Sequence, residues 1–316
     1  MTTAIYTHSD CQLHEMGRWH PESPQRLQAI EDQLIASRIS TLLDYRTAPP
    51  AELVDLLRVH SVETVELVQD HLPAVDDEDN RYYPIDGDTA INAHSWKAAL
   101  RAAGAAVAAT DAVIAGDIEN AFCSVRPPGH HARPTQSMGF CLFNNIAIAA
   151  RHAIEVHGLQ RVAIIDFDVH HGNGTEDAFV NEPRVLMVSF FQHPFYPYCG
   201  VSRDQEKHTN MVNVPVPAFT KGDAVRQLVT EKWLPALHAH KPEMLFISAG
   251  FDAHKDDDLG QMGLVEADYA WITGQLMEIA KQYAGGRIVS SLEGGYNLSA
   301  LGRSVVAHVK TLAGLD

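Results

Sequence analysis

The feature that most constrains this chain is a repeated alternation of short apolar runs with helix-length segments. Runs rich in β-branched and aromatic residues occupy 4–7, 121–125, 162–167, 185–190, 211–216, 244–248 and 288–291. Helical spacing is carried by 24–37, 51–69, 95–115, 146–156, 223–239, 265–284 and 298–313. Strands separated by whole helices join through crossovers, so a mainly parallel sheet in an α/β fold is expected. No change of composition and no internal repeat divides the 316 residues, and a single domain over 1–316 is expected. The acidic stretch 75–89 reads equally as a linker or a long surface loop, and 191–207 reads as a second elaborate loop.

In such a sheet, ligands bind beyond the carboxyl ends of the strands. Four strand candidates run directly into chemically loaded residues: His130-His131, Asp168-x-His170, Asp252 and Tyr296. These loops can meet at one mouth, which is the pattern of an active site.

In extended chain alternate residues share a face, so Asp166, Asp168 and His170 project together. A second apolar run ends at Asp252 and supplies another carboxylate at the same edge. Carboxylate oxygen with imidazole nitrogen suits zinc, and also iron or manganese. Two aspartates and one histidine leave coordination positions for water and substrate. His130 and His131 stand in a loop stiffened by Pro127, Pro128 and Gly129. One neutral imidazole there can move protons, and mutual repulsion disfavours charging both. Tyr296 follows Gly294-Gly295, and its hydroxyl can donate to the oxyanion formed when water attacks a carbonyl.

Composition narrows the partners. A formal net charge of −16 argues against nonspecific nucleic-acid binding and permits cationic ligands. No basic segment followed by an apolar run opens the chain, and no stretch is expected to reach membrane-span length, since the Ala-rich run 98–115 is broken by Arg101, Thr110 and Asp111. Cys11, Cys123, Cys141 and Cys199 are widely spaced. They are expected to be reduced, mostly buried thiols of a cytoplasmic protein.

Taken together, Trp19-His20-Pro21-Glu22-x-Pro24-x-Arg26-Leu27, Arg126-Pro127-Pro128-Gly129-His130-His131, Gly139-Phe140-Cys141-Leu142-Phe143-Asn144-Asn145, Asp166-x-Asp168-x-His170-His171-Gly172-Asn173-Gly174, Ala249-Gly250-Phe251-Asp252 and Glu293-Gly294-Gly295-Tyr296 resemble the zinc-dependent histone deacetylase family. That family includes acetylpolyamine amidohydrolases and bacterial acetoin-utilisation proteins. The resemblance extends from about residue 8 to the C-terminus. It implies a three-layer α/β/α arginase/deacetylase-like fold, and an amidohydrolase that removes acetyl or short acyl groups from the ε-amine of lysine in proteins or peptides.

The same resemblance implies zinc, or alternatively Fe2+, held by Asp168, His170 and Asp252. His131 would be the general base and then the general acid. His130, partnered by Asp166, would orient the water, and Tyr296 would polarise the acyl carbonyl. Asn173, where some members carry aspartate, matches the class II-like branch and should leave His131 a lower pKa than a carboxylate would. Phe140, next to Gly139, would form one wall of the acyl tunnel and Tyr196 the other, with Phe195 as rival. A structural potassium ion would lie among Asp166, Asp168, His170, Ser189 and Phe190.

Leu259 stands where a polyamine-selective subgroup carries glutamate, which argues mildly against N-acetylpolyamine as substrate; Asp86 or Asp88 could still serve such a ligand. Two other readings are a dinuclear arginase-type hydrolase using the positions of Gly172 and His254, and a non-catalytic acyl-lysine-binding protein. Acyl-chain preference and homo-oligomerisation are left open by the sequence.

Overall fold

A computed structural model describes residues 2–75, 81–201 and 208–315. Parts of both expected loops, 76–80 and 202–207, lie outside the described residues. Eight strands, β1 (Thr3–Thr7), β2 (Asp44–Thr47), β5 (Asn120–Cys123), β6 (Val162–Asp166), β7 (Val185–Gln192), β8 (Met211–Val216), β9 (Met244–Ala249) and β10 (Ile288–Leu292), form one sheet in the order β2-β1-β5-β10-β9-β6-β7-β8. Every neighbouring pair in it is parallel. The central strands are buried along their whole length, so apolar residues face both ways, as a sheet covered on both sides requires.

One covering layer contains α4 (Ser95–Ala115) packed on α5 (Asn145–Glu155). The other groups α1 (Gln25–Ala36), α9 (Glu266–Tyr283) and α10 (Leu298–Leu312), with α7 (Gly222–Leu228) and α8 (Leu234–His240) running into each other through a π turn at Val229–Trp233. Local chemistry sets several boundaries: the side chains of Asn144 and Asn297 cap α5 and α10 by accepting from Ala147 and Ala300 N–H, each at 3.0 Å.

The α/β class and parallel sheet are as the sequence led us to expect, with differences at the margins. The segment 51–69 forms two helices, α2 (Leu53–Leu56) and α3 (Val62–Asp70), because Ser61 caps a new start by accepting from Thr64 N–H at 3.3 Å. β2 was not expected; it is a polar edge strand whose residues alternate between half-buried and exposed. Within 75–89 and just beyond it, β3 (Tyr83–Pro84) pairs antiparallel with β4 (Ala90–Ile91). α6 (Asn173–Phe179) starts directly after the metal-type motif.

One expectation needs correction: α4, at 21 residues, is long and apolar enough to cross a membrane by length and composition. Here its alanines pack against the sheet and α5, and small side chains let the layers approach closely. Among the described residues Cys11, Cys123 and Cys141 are buried free thiols and Cys199 is an exposed one.

Candidate active site

The loaded loops leave the sheet from β5, β10, β9 and β6, four strands that are dispersed in sequence and adjacent in space. Asp166, on β6, stands beside Ser248 of β9 in register, so the two chains leave the sheet together and bring Asp168 and Asp252 into contact range. His170 Nδ1 lies 3.0 Å from Asp168 Oδ1 and 3.2 Å from Asp252 Oδ2. Ligand atoms of the three all fall within 4.8 Å of one another.

Backbone donors fix these carboxylates. Asp168 Oδ2 accepts from Gly294 N–H at 2.9 Å, and Asp252 Oδ1 accepts from Val169 N–H at 2.9 Å. A Cβ on Gly294 would collide with both carboxylates, so glycine at that position is a matter of space.

Charge at this point is out of balance in the chain alone. Burial and the charge of Asp168 push Asp252 up to about 7. Burial opposes a charge on His170, yet Asp168 and Asp252 hold it up to about 10. Asp252 Oδ2 is buried and receives no well-formed hydrogen bond. Buried carboxylates with an orphaned oxygen call for a cation, and the donor set of two carboxylates and one imidazole fits zinc.

His130 and His131 sit side by side, with ring centroids 4.0 Å apart, in opposite electrostatic surroundings. His130 Nδ1 is 2.9 Å from Asp166 Oδ2. Burial works against its charge, but Asp166 and Asp168 outweigh that and hold it well above the usual histidine range. His131 Nδ1 is 2.7 Å from the amide oxygen of Asn173. Burial, reinforced by His130 and His170, pushes it well below the usual range. Two neighbouring groups driven apart in this way are poised for different protonation states.

Above the pair lies a pocket of about 310 Å3, lined by His131, Gly139, Phe140, His170, Phe195, Tyr196, Tyr198, Leu259 and Tyr296, with Asp88 and Asp258 among its other residues. Gly139 has φ +59, and a side chain there would strike the His131 ring. Phe140 meets the Tyr296 ring edge-on at 5.8 Å. Tyr196 stands edge-on to His131 at 5.2 Å, while Phe195 stacks on His170 at 5.4 Å; both candidates for the second wall therefore line the pocket. Burial and the charge of Asp252 raise the Tyr296 hydroxyl well above its usual range, so it stays a protonated donor.

Several contributors escaped the sequence reading. Asp257 Oδ2 accepts from the N–H groups of Tyr296 at 2.6 Å and Asn297 at 2.9 Å, and its other oxygen accepts from Leu259 N–H at 3.0 Å. Glu293 accepts from the N–H groups of Gly129 at 2.6 Å and His130 at 3.1 Å. Behind them a fully buried Glu22 pairs with Arg26 at 3.0 Å and with Arg126 at 2.6 Å. Arg26 then donates to the carbonyls of Gly295 and Glu293 and lies over the Tyr296 ring at 5.0 Å. Glu22, Arg26, Arg126 and Glu293 stood inside recognisable motifs without an assigned role; Asp257 carried no signal within Asp256-Asp257-Asp258.

Ser189, on β7, is the register partner of Asp166. Its hydroxyl donates to Asn213 Oδ1 at 2.9 Å, and the adjoining Phe190 ring stacks on Trp233 at 5.5 Å. The positions that a dinuclear centre would use are not arranged for one. Gly172 has no side chain, and His254 faces Asp256 and Glu266 at 3.7 and 3.5 Å.

The profile of the Histone deacetylase domain matches residues 20–312. The chain belongs to the histone deacetylase family. It is 37% identical to a histone deacetylase-like amidohydrolase of Pseudomonas aeruginosa, over 94% of this chain and 77% of that protein. It is likewise 37% identical to the chloroplastic histone deacetylase 14 of Arabidopsis thaliana, over 94% of this chain and 74% of the relative. Among solved structures, the HDA15 HD domain superposes with a TM-score of 0.91 at 34% identity, covering 99% of this chain and 88% of that one. The chain is therefore a hydrolase of this deacetylase family, whose members are zinc-dependent in general and act on acetylated substrates.

Proposed function

We propose that this hydrolase removes acetyl or short acyl groups from the ε-amine of lysine in proteins or peptides. The observation that carries the proposal is the aromatic pocket ending on His131, His170 and Tyr296. Its volume of about 310 Å3 is small for a ligand site and suits a slender acyl-aminoalkyl chain. Asp168, His170 and Asp252 would hold zinc, or alternatively Fe2+, which supplies carbonyl polarisation and a more acidic water when bound.

The chain's own groups account for the proton movements. His131, kept neutral by burial and its cationic neighbours, takes a proton from the attacking water and delivers it to the leaving amine. His130, kept charged by Asp166, orients the water and offsets negative charge. Tyr296 donates to the developing oxyanion. Phe140 and Tyr196 flank the alkyl chain and exclude water.

Apolar Leu259 in the pocket wall supports lysine over polyamine. A polyamine reading is favoured by one observation, the carboxylates of Asp88 and Asp258 at the same pocket. Zinc-loaded protein assayed on acyl-lysine peptides of graded chain length and on N-acetylated polyamines separates the two. Turnover of peptides with His131→Ala inactive supports the lysine reading, and turnover of polyamines alone overturns it. The proposal includes a structural potassium ion beside Asp166, Asp168, His170, Ser189 and Phe190, supported by the adjacency of β6 and β7 there; a thermal midpoint indifferent to potassium against an equal concentration of a bulky cation would remove it.

A further inference from the structure

A second cluster of metal-ligating side chains lies at the far end of α5 from the catalytic loops. We propose that Asp111, His152 and His157 form a binding site for a divalent transition metal of the zinc type, joining α4 to the end of α5. Asp111 belongs to α4, His152 to the last turn of α5, and His157 follows where the chain leaves that helix. His152 Nε2 and His157 Nε2 lie 2.7 and 2.6 Å from the same atom, Asp111 Oδ1. The two rings are 5.3 Å apart and inclined at 69°, and the donor atoms all fall within 4.8 Å of one another. Two imidazole nitrogens and one carboxylate oxygen are a donor set for zinc, and equally for cobalt, nickel or copper.

A separate observation points to a cation. His152 Nδ1 is buried and has no hydrogen-bond partner. It faces Asp55 Oδ1 at 3.6 Å, a carboxylate held in turn by Glu52 N–H at 3.1 Å and Arg58 at 3.6 Å. His152 thus stands between two carboxylates, with Asp111 beyond Nε2 and Asp55 beyond Nδ1. A metal on Nε2 would leave the ring proton on Nδ1, facing the Asp55 carboxylate. A carboxylate behind the non-ligating nitrogen is the arrangement that orients metal-bound histidines generally. The Asp111 side chain is half exposed, so it can draw back from hydrogen-bond to coordination distance, and solvent can complete the shell.

The test uses the full-length chain and zinc alone. Asp252→Ala removes a catalytic ligand, so zinc that remains after equilibration and desalting reports the second cluster. One zinc per chain by elemental mass spectrometry, and a zinc-induced rise in thermal midpoint, are expected; both should vanish on adding His157→Ala or Asp111→Asn. In the otherwise unaltered chain, His157→Ala should lower the content from two zinc ions to one while hydrolysis continues. Equal zinc content with and without His157→Ala overturns the proposal, as does a single ion in the unaltered chain. The latter would assign the cluster to a metal-free link in which two histidines share one carboxylate. The comparison in the unaltered chain stands even where Asp252→Ala fails to fold.

Discussion

His131 Nδ1 lies 2.7 Å from the side-chain oxygen of Asn173, an amide where the neighbouring His130 meets the carboxylate of Asp166. That difference sets the two imidazoles apart. Replacing the amide by a charge, Asn173→Asp, should raise the pKa of His131 by about 1–3 units, the usual effect of an opposite charge at contact distance. In the proposed mechanism His131 serves in its neutral form, so the acid limb of the kcat/KM profile should move to higher pH. An unmoved limb, recorded on zinc-loaded enzyme, would remove His131 from the role of base.

His131→Ala itself should lower turnover by about 10²–10⁴-fold, the range of lost proton transfer. Zinc content should be unchanged, because His131 is not among the three clustered residues proposed to hold it. Parallel loss of zinc would contradict the assignment.

Tyr296→Phe removes a hydroxyl and little volume. Turnover should fall by about 10²–10³-fold, as for other single oxyanion donors, with KM and zinc content nearly unaltered. Asp257→Ala acts on the same group indirectly by releasing two backbone N–H groups at Tyr296 and Asn297; it should depress kcat more than KM. Kinetics indifferent to both changes would place Tyr296 outside the chemistry.

Glu22 supplies a pH-dependent part of the stability. Burial alone would raise its pKa, but Arg126 and Arg26 outweigh burial and hold it down to about 2. The unfolded value is higher, near ~4.3, so the folded state favours the ionised form. That contribution is fully present above the unfolded value and is lost as pH falls from there toward about 2. Glu22→Gln removes the negative counter-charge of two buried guanidinium groups and should cost about 3–5 kcal/mol, measured by denaturant unfolding at neutral pH. The difference from wild type should shrink in acid.

Leu259→Glu tests how the pocket wall selects its substrate. A carboxylate there should shift the ratio of acetylpolyamine to acetyl-lysine turnover by about tenfold, what one charge-assisted hydrogen bond of ~1.5 kcal/mol yields. A constant ratio would show that position 259 does not select.

The central strands and the metal-type residues were readable because each candidate ligand follows a fully apolar run, and strand ends in a parallel sheet converge by geometry. β2 was not, since an edge strand with one wet face lacks that run. The break between α2 and α3 turned on one hydrogen bond from Thr64 to Ser61, which hydrophobic spacing does not encode. The role of Glu22 was equally hidden, because its charge is matched by Arg126, 104 residues away. Asp257 sits between two exposed aspartates and looks like part of a solvated turn, although only its fold neighbours reveal that it holds Tyr296.

The last strand of the sheet, β10, lies at its middle, between β5 and β9. A ribosome therefore releases both flanking strands before the piece that joins them, and Tyr296 arrives with that piece. A nascent chain can have Asp168, His170 and Asp252 in hand and still lack both the strand that joins its halves and Tyr296. Competence should come in a single late step, sealed by α10 immediately behind.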